Sequence, residues 1–206
     1  MNKISIVCSN YNSDLWIGEY LNYVNNQTSN GFDIIFVDAC STDNSLKEIK
    51  NFKFKQSINS KVIECNSRIG IYAAWNMGIK VSTTEYVMNY NTDDMLFDYA
   101  LETYEKWILK DPDADIIFGP YGMVKTRNIN NLSSLAKWPD YSHDTLMYEY
   151  MCGPFQLIKK KVFDEIGYFD ESLNAGGAAG GLIGVGDSVT TVDFDIDGSL
   201  DLFIST

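Results

Sequence analysis

Two adjacent carboxylates, Asp93 and Asp94, end the stretch YVMNYNTDD, which begins at Tyr86 as an apolar run. If that run is a parallel strand, the pair lies at its carboxyl end, where open α/β sheets bind ligands. Carboxylate oxygens suit Mg²⁺ or Mn²⁺, which usually take one or two carboxylates together with the phosphate oxygens of a substrate. The alternative is a solvent-exposed turn in which the pair only caps the next helix.

A third carboxylate, Asp38, ends the second strand-like segment, DIIFVD at residues 33–38. The residues that follow, Ser41, Thr42 and Asp43, are typical caps of a helix whose apolar residues recur at helical spacing. Capping explains Asp43, but it does not explain Asp38, which belongs to the strand end itself. Asp38 is therefore a second candidate for ligand binding.

Strands and helices alternate along the chain and would bring these carboxylates together. Compact apolar segments at residues 3–8, 33–38, 61–65, 86–90 and 114–119 predict strands, and segments with helical periodicity lie between them. This alternation is typical of βαβ units, so we expect an α/β fold with a mainly parallel, Rossmann-like central sheet and helices on both faces. Residues 123–150 show little periodicity, and 151–158 predict one more strand.

Composition narrows the function classes. The chain has 206 residues, of which 45% are hydrophobic, and its net charge of −12 argues against binding nucleic acid by bulk electrostatics. The N-terminus reads as a strand and not as a signal peptide, and no apolar run is long enough to span a membrane. One histidine, His143, gives little support to a Ser-His-Asp triad. The cysteines form no CxxC pair, which favours free thiols and a cytoplasmic protein; they are Cys8, Cys40, Cys65 and Cys152.

Three separated pieces together resemble the nucleotide-sugar-binding half of a family 2 glycosyltransferase of the GT-A fold. They are SIVCSNYN near the start, FVDACSTDNS after the second strand and NYNTDD after the fourth. The segment NSRIGIYAAWNMGI is similar to that family's connecting segment, and CGPFQLIKKKVFDEIGYFDE to its acceptor-side strand and helix. The resemblance covers about residues 3–171, so we expect a glycosyltransferase-like domain over residues 1–172 and a separate tail over 173–206.

The resemblance implies a role for each matching position. Asp38 would contact the base or ribose of a UDP- or GDP-sugar, Ser9 and Tyr11 would lie near the base, and Arg68 would pair with base or phosphate. A surface salt bridge is the alternative for Arg68. The family's metal motif, usually DxD, falls on residues 91–93 with Asn91 in place of its first acid, so Asp93 becomes the Mn²⁺ or Mg²⁺ ligand and Asp94 its lesser partner.

The tail departs from the family. Residues 171–206 contain six acids, no Lys or Arg, and seven of the 15 glycines, and they lack the acidic pair and aromatic helix that would carry the catalytic base. Asp187 is the acid left at a tolerable spacing. The sequence VDFDIDGSLDLF instead resembles one FG-GAP-type calcium-binding repeat, with candidate Ca²⁺ ligands Asp193, Asp195, Asp197 and Asp201. An acidic hairpin, or a foreign or truncated tail on an enzyme domain, remains the alternative.

These features predict a metal-dependent, inverting glycosyltransferase that moves a sugar from a nucleotide donor to a hydroxyl of a glycan or lipid-linked acceptor in polysaccharide or glycan synthesis. We expect it in the cytoplasm, with membrane association only through its acceptor. The competing hypothesis is a non-catalytic protein that binds nucleotide-sugar, or calcium through its tail.

Overall fold

The computed structural model describes residues 2–119, 121–124, 132–136, 154–172, 189–191 and 203–205. Within these ranges the strands are β1 Ile4–Asn10, β2 Phe32–Asp38, β3 Ile58–Glu64, β4 Tyr86–Asn89, β5 Ile116–Phe118, β6 Tyr121–Val124, β7 Leu132–Ala136, β8 Leu157–Lys159, β9 Val189–Thr191 and β10 Phe203–Ser205. The helices are α1 Ile17–Asn26, α2 Ser45–Asn51, α3 Ile71–Val81, α4 Ala100–Lys110 and α5 Lys160–Ile166. The predicted alternation of strands and helices is confirmed.

The central sheet has the order β3-β2-β1-β4-β8-β5-β9. Strands β3, β2, β1 and β4 pair in parallel, as do β5 and β9, while β8 runs antiparallel between β4 and β5. A smaller sheet has the order β10-β6-β7. The carboxyl ends of β1, β2, β3 and β4 therefore share one edge, which we call the carboxyl edge.

Helices cover both faces of the central sheet, as the sequence predicts. On one face, α1 buries residues at the spacing of a single helical stripe, and α4 packs into the same core; the α1 residues are Ile17, Tyr20, Leu21 and Val24. On the other face, Ile79 of α3 and Val162 of α5 pack against Val7 and Val87 of the sheet. No helix in the described part of the chain is both long and apolar enough to cross a membrane.

The structure corrects one predicted strand boundary and shows two features that the sequence analysis did not predict. Strand β3 begins at Ile58, three residues before the predicted start, because it follows β2 along its whole length, from Phe32 to Asp38. In the run of three lysines at 159–161, Lys160 begins α5 and Lys161 is exposed, whereas Lys159 ends β8 and is buried, with its Nζ donating to the Pro112 carbonyl oxygen at 2.6 Å. Strands β6 and β7 pair partly within residues 123–150, where the sequence has little periodicity. No alternation of apolar and polar residues therefore predicted this pairing.

Helix α3 approaches the sheet closely at Gly78. A Cβ atom built on Gly78 would lie 2.3 Å from Cγ1 of Val7 on β1, well inside van der Waals contact. Val7 is short, β-branched and fully buried, so it has little freedom to move aside. Glycine at this position sets the distance between α3 and the sheet.

Gly78→Ala is expected to destabilise the protein by about 1–2 kcal/mol, because overpacking outweighs the gain of about 1 kcal/mol in helix propensity. Gly18→Ala in α1 is the matched control, since its nearest neighbour would be Oε2 of Glu48 at an ordinary 3.6 Å. We expect that variant to be stabilised by about 0.5–1 kcal/mol. Urea unfolding followed by circular dichroism measures both, and equal shifts in the two variants would contradict the close approach.

Candidate active site at the carboxyl edge

Asp38 and Asp93 lie at the same edge of the central sheet. Asp38 is the last residue of β2 and pairs in register with Asn10, the last residue of β1. Asp93 follows β4 by four residues, and β4 is the other neighbour of β1. Because these three strands are parallel, both carboxylates follow carboxyl ends, separated laterally by one strand.

The Asp38 carboxylate anchors the turn that follows β2. The side chain is 1% exposed, and its Oδ1 accepts hydrogen bonds from Asn10 Nδ2 at 2.6 Å and Ser41 Oγ at 2.6 Å. Its Oδ2 accepts from the Ser41 backbone N–H at 3.0 Å. Asn10 is fully buried and is held in turn by the hydroxyl of Ser13 and by that of Ser45. Asp38 is therefore a structural anchor, a role that its position in the sequence did not reveal.

Tyr11 and Arg68 meet beside this turn. The Arg68 guanidinium carbon lies 4.4 Å from the centre of the Tyr11 ring, a cation–π contact between residues that follow β1 and β3. Tyr11 is 39% exposed, so part of its side chain is accessible to a ligand. Ser9 is half-buried on β1, one residue before Asn10. The contact gives Arg68 an alternative to a surface salt bridge.

Asp93 and Asp94 lie on a tight turn after β4. The Asp94 backbone N–H donates to the Asn91 carbonyl oxygen at 3.2 Å, and the Tyr90 hydroxyl donates to the Asp94 carbonyl oxygen at 3.1 Å. Asp93 is exposed and Asp94 half-buried. The described residues contain no group of three or more His, Cys, Asp or Glu side chains arranged to hold a metal ion. The turn therefore offers two carboxylates, and a metal here would draw its other ligands from substrate or water.

The charges of Asp93 and Asp94 affect the buried Cys8 thiol, and that of Asp94 affects the Tyr90 hydroxyl. Burial raises the pKa of the Cys8 thiol to about 12, and the charges of Asp93 and Asp94 act in the same direction. Burial, followed by the charge of Asp94, raises the pKa of the Tyr90 hydroxyl. Each group resists becoming an anion partly because carboxylates lie near, and the same field would favour a cation at the turn.

Helix α3 connects this turn to the segment after α5. The Trp75 indole Nε1–H donates to Asn91 Oδ1 at 3.1 Å, and the Trp75 ring lies 5.4 Å from that of Phe169. The next residue, Asn76, is buried, and its Nδ2 donates to the Phe169 carbonyl oxygen at 2.8 Å and to Glu171 Oε1 at 2.9 Å. The Phe169 backbone N–H donates back to Asn76 Oδ1 at 3.0 Å.

Sequence reasoning missed Asn76 and the polar role of Trp75. Trp75 belongs to the apolar face of α3, so the sequence indicated a packing role and gave no sign that its indole N–H donates a hydrogen bond. A buried asparagine within an apolar helix was the available sign of a specific partner, since buried amides are hydrogen-bonded. Asp187 and the candidate calcium ligands lie outside the described residues; the latter are Asp193, Asp195, Asp197 and Asp201.

Comparison with known proteins adds a family match. The model for "Glycosyl transferase family 2" matches residues 5–167. Glycosyltransferase GlyG of Streptococcus pneumoniae serotype 4 is 27% identical over 179 residues, covering 79% of this chain and 58% of the relative. The poly(ribitol-phosphate) beta-N-acetylglucosaminyltransferase TarP of Staphylococcus aureus strain N315 is 32% identical over 174 residues, covering 80% of this chain and 51% of the relative. The chain thus spans between half and three fifths of these relatives.

Solved structures share the fold. Residues 1–349 of Staphylococcus aureus TarS superpose with a TM-score of 0.75 at 20% identity, over 99% of this chain and 60% of the TarS chain. The mannosyltransferase PcManGT from Pyrobaculum calidifontis, in complex with GDP-Man and Mn²⁺, gives a TM-score of 0.63 at 16% identity, over 83% of this chain and 48% of the other. At these identities the likeness establishes the GT-A architecture.

Proposed function

Because this chain belongs to glycosyl transferase family 2, we propose that it moves a sugar from a nucleotide-sugar donor to an acceptor hydroxyl in polysaccharide or glycan synthesis. The observation that supports the proposal is that β2, β1 and β4 are parallel and share a carboxyl edge: Asp38 ends β2, Tyr11 follows β1 with Arg68 against its ring, and Asp93 follows β4. The nucleoside of a donor would fit beside Asp38, Tyr11 and Arg68, and its diphosphate would fit beside Asp93.

The donor is a UDP- or GDP-sugar. Its base would stack on the exposed part of Tyr11, with Ser9 beside it, and Arg68 would contact the base or a phosphate. Asp38 is buried, so it contributes mainly by fixing the turn and offers the ribose or base at most the remaining lone pairs of its oxygens. TarS has been solved in complex with UDP and with UDP-GlcNAc, which supports this ligand class.

The Asp93–Asp94 turn fits Mn²⁺ or Mg²⁺. Two carboxylates with substrate phosphates suffice for such an ion, and Asp93 and Asp94 lie side by side on this turn. When bound, the ion would supply Lewis-acid neutralisation of the charge that develops on the nucleoside diphosphate leaving group. Asp93, the more exposed carboxylate, is the main ligand and Asp94 the lesser one.

Transfer would invert the anomeric centre, with a carboxylate removing the proton of the acceptor hydroxyl as it attacks in line. Asp187 is the candidate base, and the acceptor is a glycan or a lipid-linked glycan. The free thiols of Cys8, Cys40 and Cys65 support a cytoplasmic site of action, where thiols stay reduced. Contact with a membrane would then come through the acceptor.

Calorimetric titration with UDP and with GDP, each with and without Mn²⁺, tests the donor site. We expect one of the two nucleotides to bind, and its affinity to rise at least about tenfold, or 1.4 kcal/mol, when Mn²⁺ is added. Absence of binding by both nucleotides under both conditions would overturn the proposal.

A non-catalytic nucleotide-sugar-binding protein is the second candidate. It is favoured by one observation: residues 173–206 are rich in glycine and do not carry the acidic pair and aromatic helix that the resemblance led us to expect in that stretch. Donor hydrolysis or transfer, followed by release of the nucleoside diphosphate, separates the two. Nucleotide binding without turnover of UDP- or GDP-sugars would favour the binding protein.

A further inference from the structure

Asn91 has a side-chain amide whose orientation is fixed by its neighbour. The Trp75 indole nitrogen can only donate a hydrogen bond, so the group facing it at 3.1 Å must be the Asn91 carbonyl oxygen. The Asn91 Nδ2 then points away from Trp75. The chemistry of the partner therefore fixes which of its two orientations the amide adopts.

Trp75 is itself held in place. Its ring packs edge-on against Tyr72 with centroids 5.5 Å apart and lies against Phe169 at 5.4 Å. Asn91 is half-buried, and its Nδ2 has no hydrogen-bond partner within the described part of the chain. A pre-oriented N–H donor therefore stands two residues before Asp93, on the same turn as the acid pair.

The charges at this turn make such a donor useful. A nucleoside diphosphate that approaches Asp93 and Asp94 without a metal meets two like charges, and an acid at position 91 would add a third. A neutral amide removes that third charge and offers an N–H to a phosphate oxygen. Hydrogen bonds of this kind, to a charged acceptor, are among the stronger ones.

We propose that Asn91 donates a hydrogen bond to the diphosphate of the nucleotide-sugar and thereby gives this chain a nucleotide affinity that is partly independent of metal. This inference rests on the proposed function, since it assigns a residue to the donor site. Asn91 acts as a binding residue, and Trp75 as the positioning residue that orients its amide.

Asn91→Asp tests the proposal with little structural change. Aspartate has the same shape and still accepts from the Trp75 indole, but it replaces the N–H donor with a negative charge. We expect its affinity for UDP or GDP without metal to fall about 10- to 100-fold, while the affinity in saturating Mn²⁺ changes less than about threefold because the ion can use the new carboxylate. The measured quantity is the ratio of the two dissociation constants.

Two further variants complete the test. Asn44→Asp adds the same charge at the N-cap of α2, after the same edge of the sheet, and is expected to leave that ratio unchanged. Trp75→Phe keeps a ring but loses the indole N–H, and it should weaken metal-free binding by a few fold. If Trp75→Phe has no effect, the positioning role of Trp75 is overturned.

The outcomes separate this inference from the proposed function. If the parent protein binds a nucleotide only with Mn²⁺, or if Asn91→Asp keeps the parental ratio, the role of Asn91 is wrong while the donor site stands. If the parent protein binds neither UDP nor GDP under any condition, both fall.

Discussion

Asp93→Asn is expected to lower the affinity for UDP or GDP in saturating Mn²⁺ by about 100-fold, the scale on which a single preorganised electrostatic contact acts in an active site. Asp93 is the exposed carboxylate of the turn after β4, and it is one of the two acids of that turn to which we assign the metal ion. The substitution preserves shape and removes charge, so the metal should be lost without disturbing the turn. Metal-free affinity should stay equal or rise slightly, since one repulsive charge has gone.

Asp98→Asn is the matched control for this variant, because Asp98 is an exposed acid just beyond the same turn. It should keep the parental response to Mn²⁺. Calorimetry with and without the ion measures both proteins. An Asp93→Asn variant that responds to Mn²⁺ as the parent does would remove Asp93 from the metal site.

Asp38→Asn is expected to destabilise the fold by about 2 kcal/mol. Three donors form hydrogen bonds to this buried carboxylate, two to Oδ1 and one to Oδ2. Both oxygens must therefore act as acceptors. An amide has one acceptor oxygen, so its N–H₂ would face a donor in a site that is 1% exposed. Urea unfolding gives the loss, and nucleotide titration well below the unfolding transition gives any separate effect on binding.

Asp33→Asn provides the comparison, since Asp33 accepts from Asn2 and Asn59 through Oδ1 alone and is only half-buried. An amide oxygen can take over both bonds, so the change should cost less than about 0.5 kcal/mol. Equal losses in the two variants would mean that the bonds around Asp38 do not anchor its turn.

The sequence predicted the elements whose pattern is local. The stripe Ile17, Tyr20, Leu21 and Val24 indicated α1, and the β-branched runs indicated β1 and β2, because each periodicity records a buried face. A strand was predicted over residues 151–158, and β8 occupies Leu157–Lys159. Its antiparallel direction was not predicted, since direction depends on how the chain returns to the sheet. Lys159 is buried although it belongs to a run of three lysines, because its amine donates a hydrogen bond to the carbonyl oxygen of Pro112, 47 positions away.

The candidate site was predicted in part for a similar reason. The sequence identified Asp38, Asp93 and Asp94 as strand-end carboxylates. The structure places Asp38 at the end of β2 and the acid pair after β4, the two parallel strands on either side of β1, while their ligands remain a prediction. The anchoring of Asp38 by Asn10, and the bond from Trp75 to Asn91, join residues 28 and 16 positions apart. Such pairs carry no periodic pattern, so only the fold could reveal them.

Consecutive residues of α3 form hydrogen bonds to two separate segments of the chain. Trp75 holds the end of β4 through Asn91, while Asn76 holds the backbone at Phe169 and the carboxylate of Glu171. A shift of the whole helix along the sheet would break the hydrogen bonds of both residues at once. Gly78 also packs closely against Val7, which limits movement of the helix towards the sheet. The helix therefore ties the turn after β4 to the segment after α5, so a displacement of either segment relative to the sheet would have to break hydrogen bonds to α3.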